Sequence, residues 1–179
     1  MQNKIRTILG IDPGIATTGY GAVQYDNQKF RYLACGVIET AKGQPVEERL
    51  LSVYESVGKL IDTFRPEALA IEELFYHNNQ KTVINVAQSR GVILLAARTK
   101  GIPIYEYTPL QVKRAVVGYG RAEKRQVQEM VRILFSLPGI PRPDDAADAL
   151  AIAACHGYSA ASKLASLDLL ADSKKTGGK

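Results

Sequence analysis

The chain has 179 residues, 46% of them hydrophobic, and a formal net charge of +5, which is enough for one domain with a packed core and too little for two large lobes. Its apolar runs, such as "VILLAA", are far shorter than the ~18 residues of a membrane span, and "MQNKIRTILGID" has no signal-type apolar stretch, so a soluble, unexported protein is expected. Cys35 and Cys155 stand apart without a CxxC, and His77 and His156 form no HExxH, which argues against zinc or a disulfide framework and fits a reducing cytosol.

Three β-rich runs come first: "IRTILGID", "TGYGAVQY" and "KFRYLACGVIE", read as two adjacent hairpins. From Pro45, Val46, Leu50, Val53, Tyr54, Val57, Leu60, Ile61 and Phe64 recur at spacings of three and four up to Arg65-Pro66, an amphipathic helix with a proline stop. "ALAIEEL" (68–74) predicts a fourth strand, and a helix from about 80 to 98 places Val83, Val86, Ala87, Leu94 and Ala97 on one face. "IPIYEYT" (102–108) predicts a fifth strand. Helices follow near 109–117, 122–136 and 144–157, with a Gly118-Tyr119-Gly120 break between the first two. Residues 1–158 read as one domain, and 159–179, ending "SKKTGGK", as a flexible tail. The pattern predicts an α/β fold: a five-stranded mixed sheet, three strands antiparallel and two parallel, flanked by helices.

Two acids end apolar strands. Asp12 closes "LGID" and Glu72 closes "LAIE"; if strands one and four are parallel neighbours, both emerge at the carboxyl edge, where open α/β sheets carry their sites. A lone charge there is costly to bury unless it is paired, hydrogen-bonded or metal-bound. The last helix opens "PDDAADALAIAACHGY", with Asp145 and Asp148 on one face and small alanines around them that allow close approach to the sheet. Asp144, directly after Pro143, suits a first-turn position, but it also shares a face with Asp148. Crowded carboxylates raise one another's pKa, and an oxygen-only donor set suits magnesium or manganese, two of which can flank a phosphodiester.

With these residues in this order, "GIDPGIATTGYG", "AIEELF" and "DDAADALAIA" resemble the RuvC family of Holliday-junction resolvases, over about residues 8–157. "QVKRAVVGYGRAEKRQVQ" is similar to the family's segment between its fifth strand and late helices. The resemblance implies a ribonuclease H-like fold with strands one and four adjacent, and a cytoplasmic bacterial homodimer. It implies symmetric cutting of two strands of a four-way DNA junction in recombination and repair, leaving nicks that can be ligated. It further implies a Mg2+ site on Asp12, Glu72, Asp145 and Asp148, favouring Asp145 over Asp144; with the oxygen-only donor set, Mn2+ is expected to substitute and two ions per subunit are expected. Some members carry histidine at the position of Asp145; here an acid stands there, so a purely carboxylate site is expected. RuvA and RuvB, the branch-migration proteins, are the implied partners.

The tail from Ser159 holds four lysines and two aspartates, so the rest of the chain carries only +3 of the +5, and clustering matters more than total charge. Lys113, Arg114, Arg121, Lys124, Arg125 and Arg132 face only Glu123 and Glu129 within 111–132, which marks the expected phosphate-binding surface. By resemblance, Lys113 and Lys124 lie closest to the chemistry. Phe75, directly beyond the Glu72 strand, is a core residue or, as the family implies, an aromatic that stacks on a base at the opened junction. Gly91, inside an apolar helix, suggests packing against a second subunit.

Two other readings compete. A non-catalytic junction-binding module would not need all four acids, and an actin-like or sugar-kinase ATPase would need a second lobe. Ribonuclease H-like nucleases acting on RNA–DNA hybrids share the fold.

Overall fold

A computed structural model of the chain describes residues 6–26, 29–74 and 80–176, with backbone alone for 80–82 and 161–176. Its elements are β1 (Arg6–Asp12), β2 (Thr17–Asp26), β3 (Lys29–Glu39), α1 (Val46–Phe64), β4 (Ala68–Glu72), α2 (Gln80–Thr99), β5 (Ile104–Tyr107), α3 (Pro109–Val117), α4 (Lys124–Leu134) and α5 (Asp144–Thr176). The sheet runs in the order β3-β2-β1-β4-β5. β1, β2 and β3 pair antiparallel, while β1–β4 and β4–β5 pair parallel, the mixed sheet expected from the hairpins followed by βαβ units.

Because strand side chains alternate, the sheet buries two different sets of residues. Leu9, Ile11, Leu69 and Ile71 pack with Val53, Val57 and Ile61 of α1 and Ile93, Ala96 and Ala97 of α2. Ile8, Val23, Ala70 and Tyr107 pack on the opposite face with α3, α4 and α5. In that alternation Asp12 follows Ile11 and Glu72 follows Ile71, so both project to the α5 face.

Alanine on α5 is half of what lets it approach the sheet; strand glycines are the other half. A Cβ on Gly10 would lie 2.1 Å from the Ala149 carbonyl oxygen, and one on Gly19 2.1 Å from that of Asp145. Gly21 faces the backbone of Leu150 in the same way. Ala146, Ala147, Ala149, Ala151, Ala153 and Ala154 are all buried, so helix backbone rests almost directly on strand backbone.

Two expectations need correction. The helix expected to end near 157 continues to Thr176, because 158–176 contains neither proline nor glycine and is rich in alanine, leucine and lysine. On α2, Ala87 is exposed, and the core side is carried by Ser89, Ile93, Ala96 and Ala97; an alanine is small enough to sit on either side of a helix, and Ser89 is buried through a hydrogen bond that its polarity conceals.

Candidate active site

The turn after β1 sets the position of Asp12. Pro13 and Gly14 leave the strand at once, and a Cβ on Gly14 would meet the Thr17 carbonyl oxygen at 2.2 Å, so only glycine fits this turn. The Gly14 carbonyl accepts hydrogen bonds from the hydroxyls of Thr18 and of Ser89 on α2. At the end of β4, Glu73 donates its backbone N–H to the Tyr107 carbonyl at 2.9 Å, which keeps Glu72 in the sheet. β1 and β4 are parallel neighbours in register Ile11↔Ile71, so Asp12 and Glu72 emerge side by side. From above, α5 presents Asp145 and Asp148, three residues apart on its first turns.

The four acids interact electrostatically. Burial, reinforced by the charges of Glu72, Asp148 and Asp145, pushes the Asp12 carboxyl up to about 8. Glu72 is raised by burial and by Asp148, with Lys113 and Lys124 opposing. Asp148 is raised by burial, against a hydrogen bond from Lys124 and the charge of that lysine. One uncompensated acid is thus driven towards its neutral form, as expected of carboxylates gathered without enough counter-charge.

Lys124 supplies the positive charge that is present. Its Nζ lies 2.9 Å from Asp148 and 3.5 Å from Asp144. Burial opposes its charge, but Asp148 and Asp144 outweigh burial and hold the ammonium above its ordinary value. Asp144 also pairs with Arg142, so it is engaged at the rim as well as in the first turn of α5. Lys124 enters from the start of α4, where Gln126 accepts from the Glu123 N–H at 2.8 Å. Lys113 enters from α3, whose Thr108–Gln111 capping box and Pro109 fix its start. Glu72, Lys113, Lys124 and Asp148 line one groove of about 250 Å³, floored by Val112, Val127 and Ile152.

Four of the residues singled out from the sequence, Glu72, Lys113, Lys124 and Asp148, therefore line one groove, and Asp12 and Asp145 interact electrostatically with the acids of that group. Arg114, Arg121 and Arg125 are carried by the same groove-bearing helices and the turn between them, whereas Arg132 pairs with Glu129 at 2.8 Å. Phe75 lies outside the described residues. The pairing of Lys124 with Asp148 and Asp144 joins α4 to α5, and no local sequence signal announces it.

The donor set, oxygen throughout, suits a hard divalent cation, which would relieve the repulsion that, after burial, raises Asp12. Among the described residues, no three acidic, histidine or cysteine side chains stand close enough to grip one ion as they lie. An open convergence of this kind is what magnesium commonly uses, with water and substrate phosphate completing its shell.

Comparison with known proteins points the same way. The family model described as "Crossover junction endodeoxyribonuclease RuvC" matches residues 8–156. A protein of that description from Caldanaerobacter subterraneus subsp. tengcongensis is 57% identical over 152 residues, 85% of this chain and 92% of the relative. The Thermus thermophilus RuvC structure superposes with a TM-score of 0.82 at 39% identity, covering 88% of this chain and 96% of that one. T. thermophilus RuvC in complex with Holliday junction substrate gives 0.82 at 40% identity, covering 87% and 94%.

Proposed function

The chain belongs to the RuvC family of crossover junction endodeoxyribonucleases, and from that premise we propose that it resolves four-way DNA junctions by hydrolysing one phosphodiester in each of two strands. The observation that carries the reading is the meeting of Asp12 and Glu72 at adjacent parallel strand ends beneath Asp145 and Asp148. Asp12, Glu72, Asp145 and Asp148 would hold magnesium, or manganese in its place, and two ions per subunit match four carboxylates. Bound there, the metal would activate water and offset charge on the leaving oxygen.

The chain's own residues do the rest. Lys113 and Lys124 share the groove with Glu72 and Asp148, so a phosphate seated there meets two ammonium groups that oppose its developing charge. In the free protein Lys124 rests on Asp148 and Asp144, which stores its charge at the place where phosphate arrives. Arg114, Arg121 and Arg125 take phosphates further along the DNA, and Phe75 stacks on a base at the opened centre.

A homodimer suits the near two-fold symmetry of the junction. Ile84 and Leu95 on α2 are 60% and 54% exposed, and exposed Gly91 lies between them in sequence, with open space where a Cβ would stand. This apolar stripe supports α2 as part of the contact. RuvA and RuvB are the proposed partners, and the bacterial cytoplasm is the proposed location; no described helix is long and apolar enough to cross a membrane.

The test compares a synthetic four-way junction, a linear duplex and an RNA–DNA hybrid, each incubated with protein and magnesium. Paired nicks in the junction alone are expected. Equal cutting of the duplex, or preference for the hybrid, contradicts the reading.

A further inference from the structure

Asp12 and Glu72 lie beyond the last ladder pair that joins their strands. The β1–β4 register ends at Ile11↔Ile71, whereas Asp12 pairs with Gly19 of β2 and Glu72 with Tyr107 of β5. Each acid is therefore fixed to its outer neighbour, and the ladder does not fix them to each other. Their mutual repulsion favours separation.

On the opposite face of the sheet, two consecutive residues of α2 reach both strand ends. Ser89 is fully buried, and its hydroxyl donates to the Gly14 carbonyl at 3.0 Å, two residues beyond Asp12. Arg90 donates through Nε to the carbonyl of Glu72 itself at 3.4 Å. Its Nη2 pairs with the Glu106 carboxylate on β5, and its side chain is only 15% exposed. Glu106 stands opposite Ile71 in the ladder, so Arg90 spans β4 and β5 immediately before the acid. Neither Ser89 nor Arg90 lines the groove that holds Glu72, Lys113, Lys124 and Asp148.

We infer that Ser89 and Arg90 are positioning residues which, from behind the sheet, fix the separation of Asp12 and Glu72. The inference rests on the reading that these two acids share the cation site. One rigid helix holds both strand ends, so loosening either bond lets the carboxylates drift apart without touching substrate or metal. Groups of this kind typically change metal affinity or activity by about 10–100-fold when removed.

The test uses Ser89→Ala, Arg90→Met and Arg90→Lys. Mn2+ binding to the free protein is followed by electron paramagnetic resonance, and single-turnover junction cleavage is measured against magnesium concentration. Junction affinity is measured separately in calcium. Ser89→Ala and Arg90→Met should weaken Mn2+ binding about tenfold and raise the half-saturating magnesium by a similar factor. Junction affinity should stay within about twofold, and excess magnesium should restore most of the rate. Arg90→Lys, which keeps a charge beside Glu106 and loses the forked donor geometry, should fall between Arg90→Met and wild type.

Unchanged Mn2+ affinity and magnesium dependence in Ser89→Ala and Arg90→Met, with only the melting temperature lowered, would overturn the inference. Should Arg90→Met fail to fold, Ser89→Ala decides alone, since it removes a single oxygen atom. A wild-type protein that neither binds Mn2+ nor cuts junctions refutes the parent reading instead, and is recognised before any variant is compared.

Discussion

Replacing Asp12 by asparagine should stabilise the metal-free protein while abolishing its chemistry. The carboxyl at 12 is held at about 8 in the fold by burial and by Glu72, Asp148 and Asp145, against an ordinary value of 3.8. For an acid raised in this way, the folded state keeps a proton that the unfolded state releases. The contribution of this group to stability is therefore greatest below about pH 4, falls as pH rises towards 8, and levels off above it. At pH 7 the interval of about 3.2 between 3.8 and 7, at about 1.36 kcal/mol per pH unit, amounts to about 4 kcal/mol. Asparagine keeps the shape and never ionises, so Asp12→Asn should recover about 2–4 kcal/mol, or roughly 5–15 °C in Tm for a chain of this size. Scanning calorimetry in EDTA at pH 4.5, 6, 7 and 8.5 should show the gap between variant and wild type widening with pH. Magnesium should then stabilise the wild type and leave the variant almost unmoved. An Asp12→Asn protein that melts below wild type at pH 7, or a gap that does not change with pH, refutes the electrostatic account of the site.

Lys124→Ala leaves Asp148 and Asp144 without their ammonium partner and should slow junction cleavage by about 100-fold while weakening binding only several-fold, checked by single-turnover kinetics and gel shift. Gly10→Ala places a methyl 2.1 Å from the Ala149 carbonyl oxygen; it should lift α5 from the sheet and cost about 3 kcal/mol or more in chemical denaturation, with cleavage lost even where the fold survives. Ile84→Glu with Leu95→Glu, on the exposed side of α2, should yield a monomer in sedimentation and replace paired nicks with single, uncoordinated ones.

Much of the site was legible because each strand acid ends an apolar run, so "LGID" and "LAIE" announced both the strand and its chemically unusual last residue. Asp145 and Asp148 were legible through helical spacing, and the alanines around them through the absence of bulk. The complementary glycines were visible in β1 and β2 but carried no sign of their partner, since a glycine in a strand signals close approach without saying by what. From charge pattern alone Lys124 is one cation in a basic segment, and only the family resemblance sets it and Lys113 near the chemistry, because its pairing with Asp148 depends on how α4 crosses α5. Ser89 and Arg90 were hidden for a related reason: hydrogen bonds to backbone carbonyls of distant strands leave no periodic trace. Apolar periodicity puts Ala87 of α2 on the core side because it counts alanine as core and serine as surface, whereas in the structure Ala87 is exposed and Ser89, bonded to Gly14, is buried.

The most direct measurement places a four-way junction, labelled in turn on each strand, with wild type, Asp12→Asn and Glu72→Gln in magnesium, and follows binding and cleavage in the same samples. All three proteins should bind the junction with similar affinity, and only the wild type should cut, at symmetric positions in two opposed strands. Cleavage by either variant at more than about one hundredth of the wild-type rate would contradict the claim that these two carboxylates form the catalytic centre.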